Sequence, residues 1–302
     1  MAEAAGHKWG QFVGEYCESA IEPQLQAFAD KHGLFLDKKG PRPARSGKKL
    51  RWVDTFGNGH DLDYVLERGG TPEKIGTPIA FIESAWRRYT KHSKNKAQEI
   101  QGAILPIAEK HRFSAPLLRR VLAGDYTPNA LAQLRSTGFK VLYLTYDSIV
   151  EAFATVGIDA RYDEATPDKD HEAKMLKWAS VSATGQTGVW KKLMELNQRG
   201  LEEFMLHLER AIVRQINAIR VIPLHGSAKD CVSVASAIAY VEKYDEAAPT
   251  GPLVKYEVTI RYDNGDKIEG QFQDRATTIE FLTAYQSGNW TPAAKDLEAD
   301  VE

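Results

Sequence analysis

Cysteine is nearly absent: 302 residues hold two, Cys17 and Cys231. Two cannot build a disulfide framework, and neither stands at zinc-ligand spacing from another cysteine or a histidine, so both are expected to act as small buried hydrophobes. Long apolar runs are also lacking. Nothing approaches the ~20 apolar residues that a bilayer-crossing helix needs, and the opening MAEAAGHKWG has no apolar signal core. These absences point to a cytoplasmic protein with no membrane contact. The net charge is only −2, which argues against coating nucleic acid by bulk charge and leaves room for a local basic patch. Repeats and low-complexity tracts are missing as well. Against these gaps, 43% hydrophobic and 26% charged residues describe a globular chain, long enough for one large domain or two ordinary ones.

The apolar periodicity predicts a helix over 8–32, carrying Glu15, Glu18 and Glu22 and stopped by Gly33. A basic loop at 38–49 with Lys38, Lys39, Arg42, Arg45, Lys48 and Lys49 resembles a mobile, phosphate-facing segment. Strands are expected near 50–56, 61–67 and 78–86, the first two joined at Gly57-Asn58-Gly59. A helix over 94–111 is interrupted or kinked at Pro106. A strand at 116–122, a helix at 128–136 and a strand at 140–146 complete an α/β unit, a mixed sheet with helices on both faces. Composition shifts at 159–172, which sets the expected organisation: a core over 1–158, a recognition or dimerisation region over 159–290, and a disordered acidic tail over 291–302. The second region is expected to hold helices at 172–182 and 188–216, a strand at 217–224, and a hairpin around Asp263-Asn264-Gly265 followed by a helix at 275–286.

Carboxylates on apolar strands carry the functional signal. In Asp61-Leu62-Asp63-Tyr64-Val65-Leu66, alternation places Asp61 and Asp63 on one side. Glu83 closes the apolar run Ile79-Ala80-Phe81-Ile82, where a charge is costly unless it is paired, hydrogen-bonded or on a metal. Adjacent strands could bring Asp63 and Glu83 together around Mg²⁺, which takes oxygen ligands and keeps several waters. Metal, acid and a nearby cation are what phosphodiester hydrolysis asks for.

This order, helix with glutamates, strand, strand with Asp, strand with Glu, then helix, resembles the PD-(D/E)XK nuclease superfamily over roughly residues 8–146. The resemblance implies a restriction-endonuclease-like fold with a helical and β-hairpin C-terminal region, and a Mg²⁺-dependent endodeoxyribonuclease of restriction or phage-defence type, Mn²⁺ substituting for Mg²⁺. It makes Asp63, or Asp61, and Glu83 the metal ligands, with Glu18 or Glu15 as the first-helix glutamate. Where the family places a lysine two residues beyond the acid, this chain has Ala85. The missing cation is then expected from Lys94 or Lys96 on the next helix.

The run Trp86-Arg87-Arg88-Tyr89-Thr90-Lys91-His92-Ser93-Lys94-Asn95-Lys96 interleaves aromatics with cations directly after Glu83. Such a run suits a phosphate backbone, so Arg87, Arg88, Lys91, Lys48 and Lys49 are the expected DNA contacts. Double-stranded DNA is the expected partner. A homodimer follows if both strands are cut, because two antiparallel cuts arise most simply from a two-fold axis. The alternative is a non-catalytic nucleic-acid-binding sensor or subunit that lost hydrolysis with the lysine. His225-Gly226-Ser227 has no acid beside it in sequence and reads as a loop.

Overall fold

Trp9, Val13 and Cys17 recur every fourth residue along α1 (Ala5–Ser19), and all three are buried, which is the stripe a helix needs to lie against a sheet. The computed structural model describes residues 5–90, 93–114, 116–247, 251–283 and 285, and only the backbone of residues 5, 93, 94 and 113. The acidic tail expected over 291–302 lies outside the described residues. The single helix expected over 8–32 is two. The chain turns at Ala20 and Ile21, and α2 (Glu22–His32) restarts with Pro23 in its first turn, where a missing N–H removes no helical bond. Gly33 ends it with φ 62°, its N–H donating to the carbonyls of Ala29 and Asp30.

Next come β1 (Leu34–Lys38), β2 (Leu50–Val53), β3 (Gly59–Leu62), β4 (Tyr64–Arg68), β5 (Thr77–Arg87), α3 (Ser93–Lys110), β6 (Leu117–Gly124), α4 (Pro128–Ser136), β7 (Lys140–Thr145) and α5 (Tyr146–Ala154). Five of these strands form one sheet in the order β1-β4-β5-β6-β7. β1, β4 and β5 are antiparallel, while β5, β6 and β7 are parallel, so the sheet is mixed. β2 and β3 stand apart as a two-stranded ribbon. α4 and α5 each begin at a threonine whose hydroxyl accepts from a backbone N–H three residues on: Ala130 for Thr127 and Ser148 for Thr145.

Helices cover both faces. Alternation along β5 and β6 sends Phe81, Ala85 and Leu122 into one core with Ala97, Ile100 and Ile104 of α3 and Leu131 and Leu134 of α4. Ala80, Ile82, Val121 and Ala123 face the other way, onto α1 and α5. This second core also contains Val189 and Leu193 of α7 (Ala183–Leu196) and Phe204 and Leu208 of α8 (Gln198–Ile212). Those two helices replace the single one expected over 188–216, with the break at Asn197. α6 (Asp168–Ala179) packs on α1.

The remaining chain builds a core of its own. β8 (Ile216–Pro223), β9 (Lys229–Cys231), β10 (Tyr256–Tyr262) and β11 (Lys267–Phe272) form an antiparallel sheet in the order β11-β10-β8-β9, backed by α9 (Val234–Lys243) and α10 (Arg275–Thr283). The hairpin at Asp263-Asn264-Gly265 is as expected, with Gly265 at φ 88°. Cys17 and Cys231 are free and buried. Among the described residues no helix is long and apolar enough to cross a membrane.

Candidate functional site

Asp63 is not inside a strand. The expected strand over 61–67 breaks at this residue, β3 ending at Leu62 in the small ribbon and β4 starting at Tyr64 in the main sheet. The break separates the two aspartates. Asp61 pairs across the ribbon with Arg51 (2.9 Å) and is also held by Lys49 (2.6 Å), so the alternation argument that joined it to Asp63 fails. Asp63 turns the other way, toward β5. Its backbone N–H donates to Glu83 Oε1 (3.1 Å), and its Oδ2 accepts from the N–H of Ser84 (2.7 Å). A bend in the chain therefore fixes the two carboxyl groups beside each other.

Glu18 arrives from the last turn of α1. Its carbonyl accepts from the Tyr64 hydroxyl (3.0 Å), which ties the helix end to the start of β4 and brings the Glu18 and Asp63 carboxyl groups into a hydrogen bond. From the sheet side comes Arg120, the register partner of Glu83 on β6, with Nη1 3.3 Å from Glu83 Oε2. Arg120 is fully buried, donates to the Ile100 carbonyl and lies over the Phe139 ring. Lys96, in the first turn of α3, bonds Glu99 and sits near enough to act electrostatically on both Asp63 and Glu83. Of the two lysines expected to supply the displaced cation, Lys96 is at the site. The side chain of Lys94 lies outside the described residues.

Burial and mutual repulsion set the protonation of the acids. Burial first, then Asp63, pushes the Glu83 carboxyl up to about 8, against the pull of Arg120 and Lys96. Glu18 rises to about 7, again through burial and then Asp63. Asp63 is raised by burial, opposed by the Ser84 N–H and Arg120. Arg120 is drawn down to about 10 by the same burial. Glu18, Asp63 and Glu83 meet Lys39, Lys96 and Arg120 in a largely buried place, and burial and the acids' mutual repulsion favour holding protons there near neutral pH.

Among the described residues no group of three or more His, Cys, Asp or Glu side chains is spaced to hold a metal ion by itself. What the site offers is an open set of carboxylate oxygens. Asp63 Oδ2 and Glu83 Oε1 are already oriented by backbone N–H groups, and the pair faces a proton load that a divalent cation would displace. Oxygen donors of this kind are the type a hard cation takes, and Asp63 and Glu83 supply two such side chains.

The basic positions fall out differently. Arg88 donates to Asp125 (2.9 Å) and twice to the Tyr162 carbonyl, and lies over the Tyr146 ring at 4.0 Å, so it braces the fold. Arg87 is half-buried and bonded to the Trp86 carbonyl. Lys49 is taken by Asp61, Lys48 is exposed, and Lys91 lies outside the described residues. The basic loop at 38–49 is pinned at its arginines. Arg42 is buried between Asp37 (2.6 Å) and Glu67 (2.8 Å), and Arg45 binds Asp37 as well, so these two cannot face a phosphate. Ala85, at the position of the missing lysine, packs in the α3 core.

No family model matches the chain. The alpha subunit of phycocyanobilin lyase from Picosynechococcus sp. (strain ATCC 27264 / PCC 7002 / PR-6) is 28% identical over 112 residues, 37% of this chain and 40% of that protein. The chain thus spans about two fifths of that relative's length. The crystal structure of a protein of unknown function, AF1548, aligns with a TM-score of 0.29 and 12% identity over 63% of this chain and 98% of that one.

Arg120 was not anticipated from the sequence. The signal was present: Arg119-Arg120 interrupts the apolar strand Leu117–Gly124, and a charge in a buried strand implies a partner, the same reasoning that singled out Glu83.

Proposed function

We propose that this chain is a Mg²⁺-dependent endodeoxyribonuclease on a restriction-endonuclease-like core, of restriction or phage-defence type, with Mn²⁺ able to replace Mg²⁺. The observation that carries the reading is the meeting of Asp63 and Glu83, from the entry to β4 and from β5, with Glu18 and Lys96 beside them. Support for the fold comes from the sheet, in which an antiparallel β1-β4-β5 unit bears the acids and parallel β6 and β7 extend it.

Asp63 and Glu83 would hold the metal, with Glu18 joining them once the proton it shares with Asp63 is lost. The bound ion would supply Lewis acidity toward phosphate oxygen and acidify water at that point. Lys96, on a helix rather than on the strand, would take the role of the family's lysine and stabilise charge developing on the phosphate; its electrostatic reach to Asp63 and Glu83 supports that role. Arg120 holds Glu83 in place from beneath and tempers its basicity. The DNA substrate and the homodimer rest on the chemistry of the acids and on the symmetry of double-strand cutting.

A second reading is favoured by one contact. Arg120 already sits 3.3 Å from Glu83, and a guanidinium there neutralises an acid without any metal, which suits a sensor or subunit that binds nucleic acid and does not cut it. Plasmid relaxation with Mg²⁺ or Mn²⁺ separates the two. The nuclease reading expects cutting by the wild type, loss of at least about a hundredfold in Glu83→Gln and a similar loss in Lys96→Ala. Salt-sensitive DNA binding with no cutting in any metal supports the sensor, and equal cutting by wild type and Glu83→Gln ends the assignment of Glu83.

A further inference from the structure

The face of the sheet opposite the α3 core carries a cationic cleft that the carboxylate site does not use. It occupies about 370 Å³ between the main sheet, α8 and the β10–β11 hairpin. Arg119, Lys140, Arg210, Arg214 and Lys267 line it, on an apolar edge formed by Leu117 and Leu118. Its acid is Asp266, which Arg214 already engages at 2.7 Å. Lys267 reaches Glu269 from an exposed position. Among the described residues no carboxylate lies within ion-pair distance of Lys140 or Arg210.

Arg119 is the anomaly. It is 4% exposed, and its guanidinium makes two bonds to carbonyls, those of Leu118 and His207, but its buried Nε has no acceptor. The acid that acts on it, Asp266, is already bonded to Arg214, so the buried charge is incompletely compensated and an anion in the space it lines would offset that cost. Register explains the geometry: Arg119 pairs with Lys140 on β7, and alternation turns both away from Arg120 and Glu83. The two adjacent arginines thus serve opposite faces of one strand.

We propose that this cleft binds a small ligand bearing a phosphate or pyrophosphate group, seated on Arg119 and Lys140 and closed over by Arg210 and Arg214. A multiply charged oxyanion matches several converging cations and the forked donors of arginine. The volume falls in the range of small-molecule pockets, a mononucleotide included. The site is independent of the metal-binding reading and stands or falls by itself.

Calorimetric titration of the full chain with inorganic pyrophosphate and with AMP, at low salt, tests it. Saturable binding of either probe is expected. It should weaken at least tenfold in Lys140→Glu and in Arg210→Glu, both exposed positions whose substitution spares the core, and remain unchanged in Glu83→Gln. Absence of binding, or binding by both charge-reversal variants as tight as that of the wild type, overturns the proposal. A third arm compares an unphosphorylated oligonucleotide with AMP. If the oligonucleotide binds and AMP does not, with the same loss in Lys140→Glu, the cleft takes a nucleic-acid backbone and the small-ligand assignment is refuted.

Discussion

Replacing Glu83 by glutamine should change how stability depends on pH before it changes anything else. In the folded chain the Glu83 carboxyl titrates at about 8, against an ordinary value of 4.5. A raised acid binds its proton more tightly when folded than when unfolded. Its contribution to stability is therefore complete below about pH 4.5 and is lost as pH climbs through 8. At about 1.4 kcal/mol per unit, an interval of this size corresponds to roughly 3–5 kcal/mol, part of it shared with Glu18 and Asp63, which face the same charges. Lys96 and Arg120 are the cations that limit the loss. Glutamine has the shape of the protonated acid and cannot ionise, so the variant should lose less stability than the wild type from pH 5 to 8, the remaining decline coming from Glu18 and Asp63.

Urea unfolding at pH 5, 6.5 and 8 reads this out. With ~10 mM Mg²⁺ and a dissociation constant of ~1 mM, the wild type should recover about 1.4 kcal/mol at pH 8 and the variant almost none. Parallel pH curves for the two proteins would show that Glu83 is not raised by its surroundings, and equal stabilisation by Mg²⁺ would place the ion elsewhere.

Other consequences can be checked separately. Arg42→Ala leaves Glu67 buried without its cation and Asp37 with Arg45 alone, and should cost about 3–5 kcal/mol in denaturant unfolding. Asp61→Asn removes surface ion pairs with Lys49 and Arg51, so it should alter stability by less than about 1 kcal/mol and leave any Mg²⁺-dependent cutting within twofold of wild type. Phe204→Ala should cost about 3–5 kcal/mol by thermal or urea unfolding if α8 shares the core of the main sheet, and little if the helix packs loosely.

Much of the sheet was legible because its strands are apolar and its turns are punctuated. Gly33, Gly57-Asn58-Gly59 and Asp263-Asn264-Gly265 each marked a boundary, and the parallel pair β6 and β7 read as near-continuous apolar runs. β1, α5 and α9 were not foreseen. β1 is five residues long and holds a buried Asp37 whose partners Arg42 and Arg45 lie in the following loop, so its charges masked a strand and its loop read as mobile. Periodicity sees one segment at a time and cannot show that a basic residue already has an acid waiting. The same blindness affected Arg88, whose ring and carbonyl partners at 146 and 162 lie far along the chain.

The proximity of Asp63 and Glu83 was expected for a partly wrong reason. Asp63 and Glu83 do meet, yet an unbroken strand through 61–67 would have carried Asp61 along with Asp63. What isolates Asp63 is a bend that passes the chain from the ribbon to the main sheet, and its freed backbone N–H then holds Glu83. The bend and the acid are thus one device: pairing Asp63 regularly would satisfy its N–H within a ladder and remove the contact that orients Glu83. The same economy explains Arg119 and Arg120. Two consecutive charges in a buried strand must face opposite ways, so one reaches Glu83 and the other is left toward α8, where Asp266 is already taken by Arg214, and the strand that steadies one site creates the demand for an anion at the other.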